Sequence, residues 1–272
     1  MHFGRIATTN VKYDKPINEG IIMYLLDHLV HFVKKPEQLV ETTKELGLHT
    51  VNGGKHEMWG TYNSLCYFDL SYIEFIGIFD EVLFEKAAGE PFTLHETYKN
   101  GKFQNGVVRM AFRTECIEKV AENLRSLNYD VFGPEEFSRR RPDGSILKWK
   151  LLHFGKRDQI LDWPFIIEWE GNDSERYEDL LGRGTIKPHP LGNLLIKEIE
   201  IGVADLSIAS EWGKVFDLEV HGTDKFKRIK MENCALTFKK IVGKNKILQI
   251  IISGAKEVKE LTLEGSSYLI KK

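Results

Sequence analysis

The sequence predicts an α+β chain of repeated βαβββ modules, two in succession and then a third C-terminal module. Three observations predict it. An apolar strand followed by a helix recurs three times, with strands opening at residues 25–33, 107–113 and 196–203. The copies align at fixed offsets, His28 falling on Arg109 after 81 residues (28 to 109) and on Glu198 after 170 (28 to 198). Each copy also holds a later run of large and β-branched residues broken by one acidic or amide group: Glu74, Glu168 or Gln249. Such runs read as largely buried strands, and a repeat of this size fixes the fold class before any single element does.

In the first module, about residues 23–79, the opening strand feeds a helix over 36–46. Pro36 sits in its first turn, where a missing N–H costs nothing, and Gly47 marks its stop. A loop at 52–55 follows, then short strands near 58–62 and 65–70, then the Glu74 strand. The polar connector 80–106 contains a helix over 81–88, ended by Gly89 and Pro91. The second module spans 107–170, with a helix over 117–127 and a turn signalled by Pro142, Asp143 and Gly144. Alternation over 146–154 sets Leu147, Trp149 and Leu151 against Ile146, Lys148 and Lys150, as in a half-exposed strand. A linker rich in Gly and Pro covers 181–192, module three covers 193–253, and a lysine-rich tail ends the chain. The expected division is an N-terminal arm or leader at 1–22, the paired modules at 23–180, and the third module with its tail at 181–272.

Composition narrows the function classes. The 272 residues are 42% hydrophobic and 29% charged, ordinary for a soluble globular protein. A net charge of −2 gives no general pull toward nucleic acid or anionic lipid, and no stretch is long and apolar enough to span a bilayer. Cys66, Cys116 and Cys234 lie far apart with no CxxC pair, which suits a reducing, cytoplasmic interior. GxSxG, HExxH, GxGxxG and Walker patterns are absent from the sequence, so the corresponding hydrolase, zincin and nucleotide readings lack support.

The polar groups inside apolar strands are the candidate site. Burying a lone carboxylate costs several kcal/mol or raises its pKa, so Glu74 and Glu168 each need a cation, a donor or a metal. His28 shares their register. His31, three residues on, points to the opposite face of its strand and reads as structural. His56, beside Gly53 and Gly54, can reach a cavity mouth, whereas His49, His95, His153, His189 and His221 have no ligand spacing and default to surface or loop.

Paired βαβββ modules with Asp27-His28 in the first strand and Tyr72-Ile73-Glu74 in the last resemble the vicinal oxygen chelate superfamily, which includes glyoxalase I, extradiol dioxygenases and bleomycin-resistance proteins. Within it, Arg141-Pro142-Asp143-Gly144, Leu147-Lys148-Trp149-Lys150, Pro164-Phe165 and His189-Pro190-Leu191-Gly192 resemble the glyoxalase-like domain proteins. The resemblance implies that the first two modules form a cupped, barrel-like mixed sheet around a cavity. It also implies a divalent metal (Zn, Mn, Ni or Fe) held by His28, Glu74 and Glu168, with Arg109 in the fourth place. Arg109 departs from the pattern, since a guanidinium offers only donors and cannot ligate a metal. Three outcomes follow: a reduced metal site, a metal-free ion-pair cluster of Arg109 with Glu74 and Glu168, or an Arg109 fork for a ligand anion.

Two functions follow from the resemblance. One is a metal-dependent isomerase, lyase or dioxygenase acting on a small oxygenated metabolite, with Glu168 and Glu74 catalytic and Glu168 the main proton shuttle. The other is a metal-free binding protein of the drug-sequestering kind, holding its small-molecule ligand among Trp59, Tyr62, Trp149 and Trp169, with Arg109 as anion anchor. The exposed sheet of module three is expected to pack on the first two modules or on a second subunit, which favours a homodimer.

Overall fold

The structure, a computed structural model, describes residues 22–141 and 143–272. The arm or leader expected over 1–22 therefore lies outside the described residues, apart from Ile22. The first module is β1 (Leu25–Phe32), α1 (Pro36–Glu45), β2 (Thr50–His56), β3 (Thr61–Phe68) and β4 (Ser71–Ile78). After α2 (Glu81–Ala87) and α3 (Leu94–Asn100), the second repeats it as β5 (Gly106–Arg113), α4 (Ile117–Ser126), β6 (Asp130–Arg140), β7 (Ile146–Gly155) and β8 (Phe165–Trp169). These strands form one curled eight-stranded half-barrel in the order β2-β3-β4-β1-β5-β8-β7-β6.

Each module builds its helix from the sequence pattern alone. Pro36 opens α1, and α4 buries Ile117, Val120, Ala121 and Leu124, the i, i+3, i+4, i+7 stripe of an amphipathic helix. Each large aliphatic buried there contributes about 1.5–3 kcal/mol. The loop expected at 52–55 is instead a bulge inside β2, where the pairing with β3 slips between Asn52 and Lys55. A Cβ on Gly53 would stand 2.0 Å from Asn63 Oδ1, so only glycine allows this close approach. The two short strands expected near 58–62 and 65–70 are the single strand β3, and α3 is a helix that the polar connector did not reveal.

The second sheet follows α5 (Asp173–Gly182) and contains β9 (Gly192–Val203), α6 (Ser207–Phe216), β10 (Val220–Gly222), β11 (Phe226–Lys230), β12 (Ala235–Lys240), β13 (Lys246–Ala255), β14 (Lys259–Leu263) and β15 (Ser266–Lys271). Its order is β10-β11-β12-β9-β13-β15-β14. The closing strand of module three is β12, which runs parallel to β9 as β4 does to β1. The Gln249 strand instead pairs antiparallel with β9, as β5 does with β1. Val107 and Arg109, opposite His31 and Val30, match Ile247 and Gln249, opposite Ile201 and Glu200, at a constant 140 residues (107 to 247, 109 to 249). Gln249 therefore corresponds to Arg109 rather than to Glu74 or Glu168, and the lysine-rich tail forms strands that complete half of a fourth module.

One apolar core joins the two sheets. Trp212 of α6 stacks on Trp163 at 5.3 Å, and Phe216 meets Phe112 edge-on at 5.2 Å. His31 accepts or donates a 2.6 Å bond with the buried hydroxyl of Tyr268 in β15, so the outer face of β1 is covered by the second sheet. Burial holds the His31 ring down to about 4, keeping it neutral.

Candidate functional site

The concave face of the half-barrel holds a cavity of about 460 Å³. Parallel pairing sets His28 opposite Tyr72 and Val30 opposite Glu74, so the side chains of His28 and Glu74 share that face. The His28 ring is 4% exposed, stacked on Tyr72 at 4.6 Å and flanked by Phe165. Its Nδ1 is 2.7 Å from Asp27 Oδ1, and its Nε2 is 3.7 Å from Glu74 Oε2.

Asp27 reaches this face because β1 is irregular there. The pairing of β1 with β5 slips between Leu26 and His28, leaving Asp27 unpaired in a bulge. A bulge re-aims a side chain that strict alternation would send to the other face. The buried Asp27 Oδ2 then accepts from Trp169 Nε1 at 3.0 Å and from Arg176 Nη1 at 3.2 Å. Burial pushes this carboxyl up, but Arg176 and the His28 bond outweigh it and hold it well below the usual carboxylate range. Arg176, from α5, lies over the Trp169 ring at 4.3 Å and so locks the arrangement from behind.

Glu74 has two further neighbours. Its Oε1 accepts from Asn63 Nδ2 at 2.5 Å and lies 3.9 Å from His56 Nε2. His56 Nδ1 is tied to Thr61 Oγ1 at 3.0 Å. Burial pushes the His56 pKa down, against the pull of Glu74. Trp59, Phe137 and Trp149 supply aromatic wall, with Trp59 5.2 Å from Phe137. His95 and His153, assigned by default to surface or loop, both line the cavity.

The residues expected at the site separate into two groups. His28, Glu74, Trp59 and Trp149 line the cavity; Arg109, Tyr62 and Glu168 do not. Tyr62 donates to Glu37 Oε2 at 2.8 Å at a small, separate groove. Arg109 is 2% exposed and donates from Nε to the Trp163 carbonyl at 2.8 Å and from Nη1 to Thr97 Oγ1 at 3.0 Å, so it pairs with neither glutamate. Glu168 accepts from the Ile117 N–H at 2.8 Å and thereby caps the first turn of α4.

Strand register explains the Glu168 correction. Pairing across β1 and β5 confirms the 81-residue offset, with His28 opposite Ala111 and Val30 opposite Arg109. Val30 then corresponds to Ala111, whose parallel partner in β8 is Phe165. The counterpart of Glu74 is thus Phe165, three residues before Glu168. An odd shift in a strand turns the side chain to the opposite face.

The divalent metal implied by the resemblance does not fit these residues. Its four ligand positions hold His28, Glu74, Arg109 and Phe165, and only the first two can bind an ion. Among the described residues, no three His, Cys, Asp or Glu side chains are arranged to hold a metal.

This fold and cavity define a protein of the vicinal oxygen chelate class. A family model described as a glyoxalase-like domain matches residues 26–216, and the chain belongs to that family. Among solved structures, a hypothetical protein from Staphylococcus aureus is similar over 92% of this chain and 100% of its own, at 22% identity and a TM-score of 0.83. A mutant 4-hydroxymandelate synthase from Streptomyces coelicolor is similar over 86% of this chain and 71% of its own, at 8% identity and a TM-score of 0.51. A methylmalonyl-CoA epimerase variant from the same organism covers 56% of this chain and 97% of its own, at 17% identity and a TM-score of 0.40. No curated protein matches the chain in sequence.

Proposed function

We propose that the protein is an isomerase or lyase that moves a proton on a small oxygenated metabolite, with His28 as the base and Glu74 as its proton partner. One observation carries this reading: Asp27 occupies His28 Nδ1, while His28 Nε2 faces the cavity and Glu74. An acceptor at Nδ1 fixes the proton there and leaves the Nε2 lone pair free, the orientation a general base needs. His28 Nε2 would take a proton from a carbon next to a carbonyl, and the electron pair would move to the carbonyl oxygen. The proton would return to the neighbouring carbon or oxygen from His28 or through Glu74, which Asn63 keeps oriented. No step is routed through a metal, because Arg109 and Phe165 occupy two of the four positions that would ligate it.

Exchange in D2O tests this reading. Wild type is expected to incorporate deuterium next to the carbonyl of some member of a panel of 2-oxo acids and 2-hydroxy ketones, read by NMR. His28→Gln should reduce that rate by about 10²-fold or more. Exchange unchanged in His28→Gln would contradict the assignment. The aromatic wall of Trp59, Phe137 and Trp149 favours a second reading, a binding protein without turnover. It predicts ligand-dependent tryptophan quenching with no exchange across the whole panel.

A further inference from the structure

We propose that the His95–His153 end of the cavity, backed by Arg109, is an anion subsite that takes the carboxylate of the ligand. This names the substrate class for the acid–base site above and rests on that reading only for which end of the ligand reacts. The support is a set of buried polar atoms without partners. His95 Nε2, His153 Nε2 and Arg109 Nη2 have no hydrogen-bond partner among the described residues, though most buried polar groups in folded proteins have one. Both imidazoles line the cavity, His95 from α3 and His153 from β7, where its ring stacks on Phe132 at 5.1 Å.

Arg109 does not line the cavity, but its charge reaches both rings. Burial lowers His95 to about 3 and His153 to about 4, and the Arg109 charge adds to each depression. Both rings are therefore neutral at pH 7 and can each present an N–H from Nε2. Asp162 and Glu96 lie close enough to influence Arg109, yet both Asp162 oxygens are bonded elsewhere, to Thr97 and Gln159, and Glu96 Oε2 accepts from the Phe92 N–H. The Arg109 charge behind the two rings favours an anion over a neutral ligand at this end, while the neutral imidazoles supply the N–H donors. At the other end Arg176 Nη2 is likewise without a partner among the described residues, but Arg176 is paired with Asp27 Oδ2, and Glu74 repels an anion there.

Titration with benzoate and its neutral isostere benzamide, read by quenching of Trp59 and Trp149, tests the subsite. Wild type is expected to bind benzoate at least tenfold more tightly than benzamide. Arg109→Met and His153→Phe should each lose most of that preference while retaining benzamide binding. Two substitutions on different strands guard against one of them failing to fold. Arg139 also lines the cavity and is the rival anion anchor. Its charge acts on His56 rather than on His95 or His153, so with the anion at the His95–His153 end Arg139→Met should keep the preference. Equal binding of both probes by wild type would overturn the subsite, as would loss of the preference in Arg139→Met but not in the other two. His28→Gln should keep it, so failure of the acid–base reading and failure of the subsite give different results.

Discussion

Asp27 Oδ1 lies 2.7 Å from His28 Nδ1, although consecutive residues in an unbroken strand point to opposite faces. The bulge between Leu26 and His28 brings the two together. It holds the ring by Nδ1 and turns Nε2 toward the cavity and Glu74, the orientation that the proposed role of His28 as a base requires.

Asp27→Asn should therefore damage turnover more than binding. The amide can present an N–H to Nδ1 and favour the tautomer with the proton on Nε2. The expected loss in kcat is about 10²–10⁴-fold, with KM changed little, measured on whichever substrate shows exchange. A loss confined to KM would assign Asp27 to binding instead.

Glu168→Ala should cost stability and spare the chemistry. Its carboxylate caps α4 at the Ile117 N–H, and loss of such a cap costs about 0.5–2 kcal/mol. Chemical denaturation should show that decrease while the exchange rate stays at the wild-type level. A large fall in exchange with unchanged stability would restore Glu168 to the site.

Stability should fall between pH 6.5 and pH 4. Burial depresses His31 and His153 to about 4 and His95 to about 3 in the folded chain. The unfolded chain, with histidines near 6.5, then binds more protons in that window, so stability is full above it and is lost as pH falls. The combined effect is on the order of a few kcal/mol, with His153 contributing less because it is partly exposed. Urea denaturation at pH 7.5 and pH 5 measures it, and His31→Phe should flatten the slope. A pH-independent midpoint would contradict the neutral burial of these rings.

Trp212→Ala should destabilise the whole chain, since this ring packs on Phe238 of the second sheet and on Trp163 and Phe112 on the side of the first. The expected cost is about 3–5 kcal/mol. Both sheets should melt in one transition. Two separated transitions would show that the shared core does not couple them.

The opening strands of the modules were legible in the sequence because their side chains face known sides at fixed spacing. The 81-residue offset from His28 to Arg109 survives in the pairing of β1 with β5. The closing strands were not legible to the residue. Glu168 sits three places past Phe165, and matching one polar residue inside an apolar run cannot detect that slip. Asp27 was hidden by the same alternation rule that located His28, because a bulge leaves no mark in a single sequence. His95 and His153 come from a helix in the connector and from a strand of the second module, and only the curl of the sheet brings them to one wall. The third module misled for a further reason: Gln249 belongs to a strand that begins a new half-module, and its apolar run looks the same whether a strand opens a module or closes one.

The tautomer of His28 is the most direct measurement. Long-range proton–nitrogen NMR on the labelled protein near pH 7.5 reports which ring nitrogen carries the proton, with no substrate required. The proton should be found on Nδ1 in wild type and should move to Nε2 in Asp27→Asn. A wild-type His28 carrying its proton on Nε2 would contradict its assignment as the base.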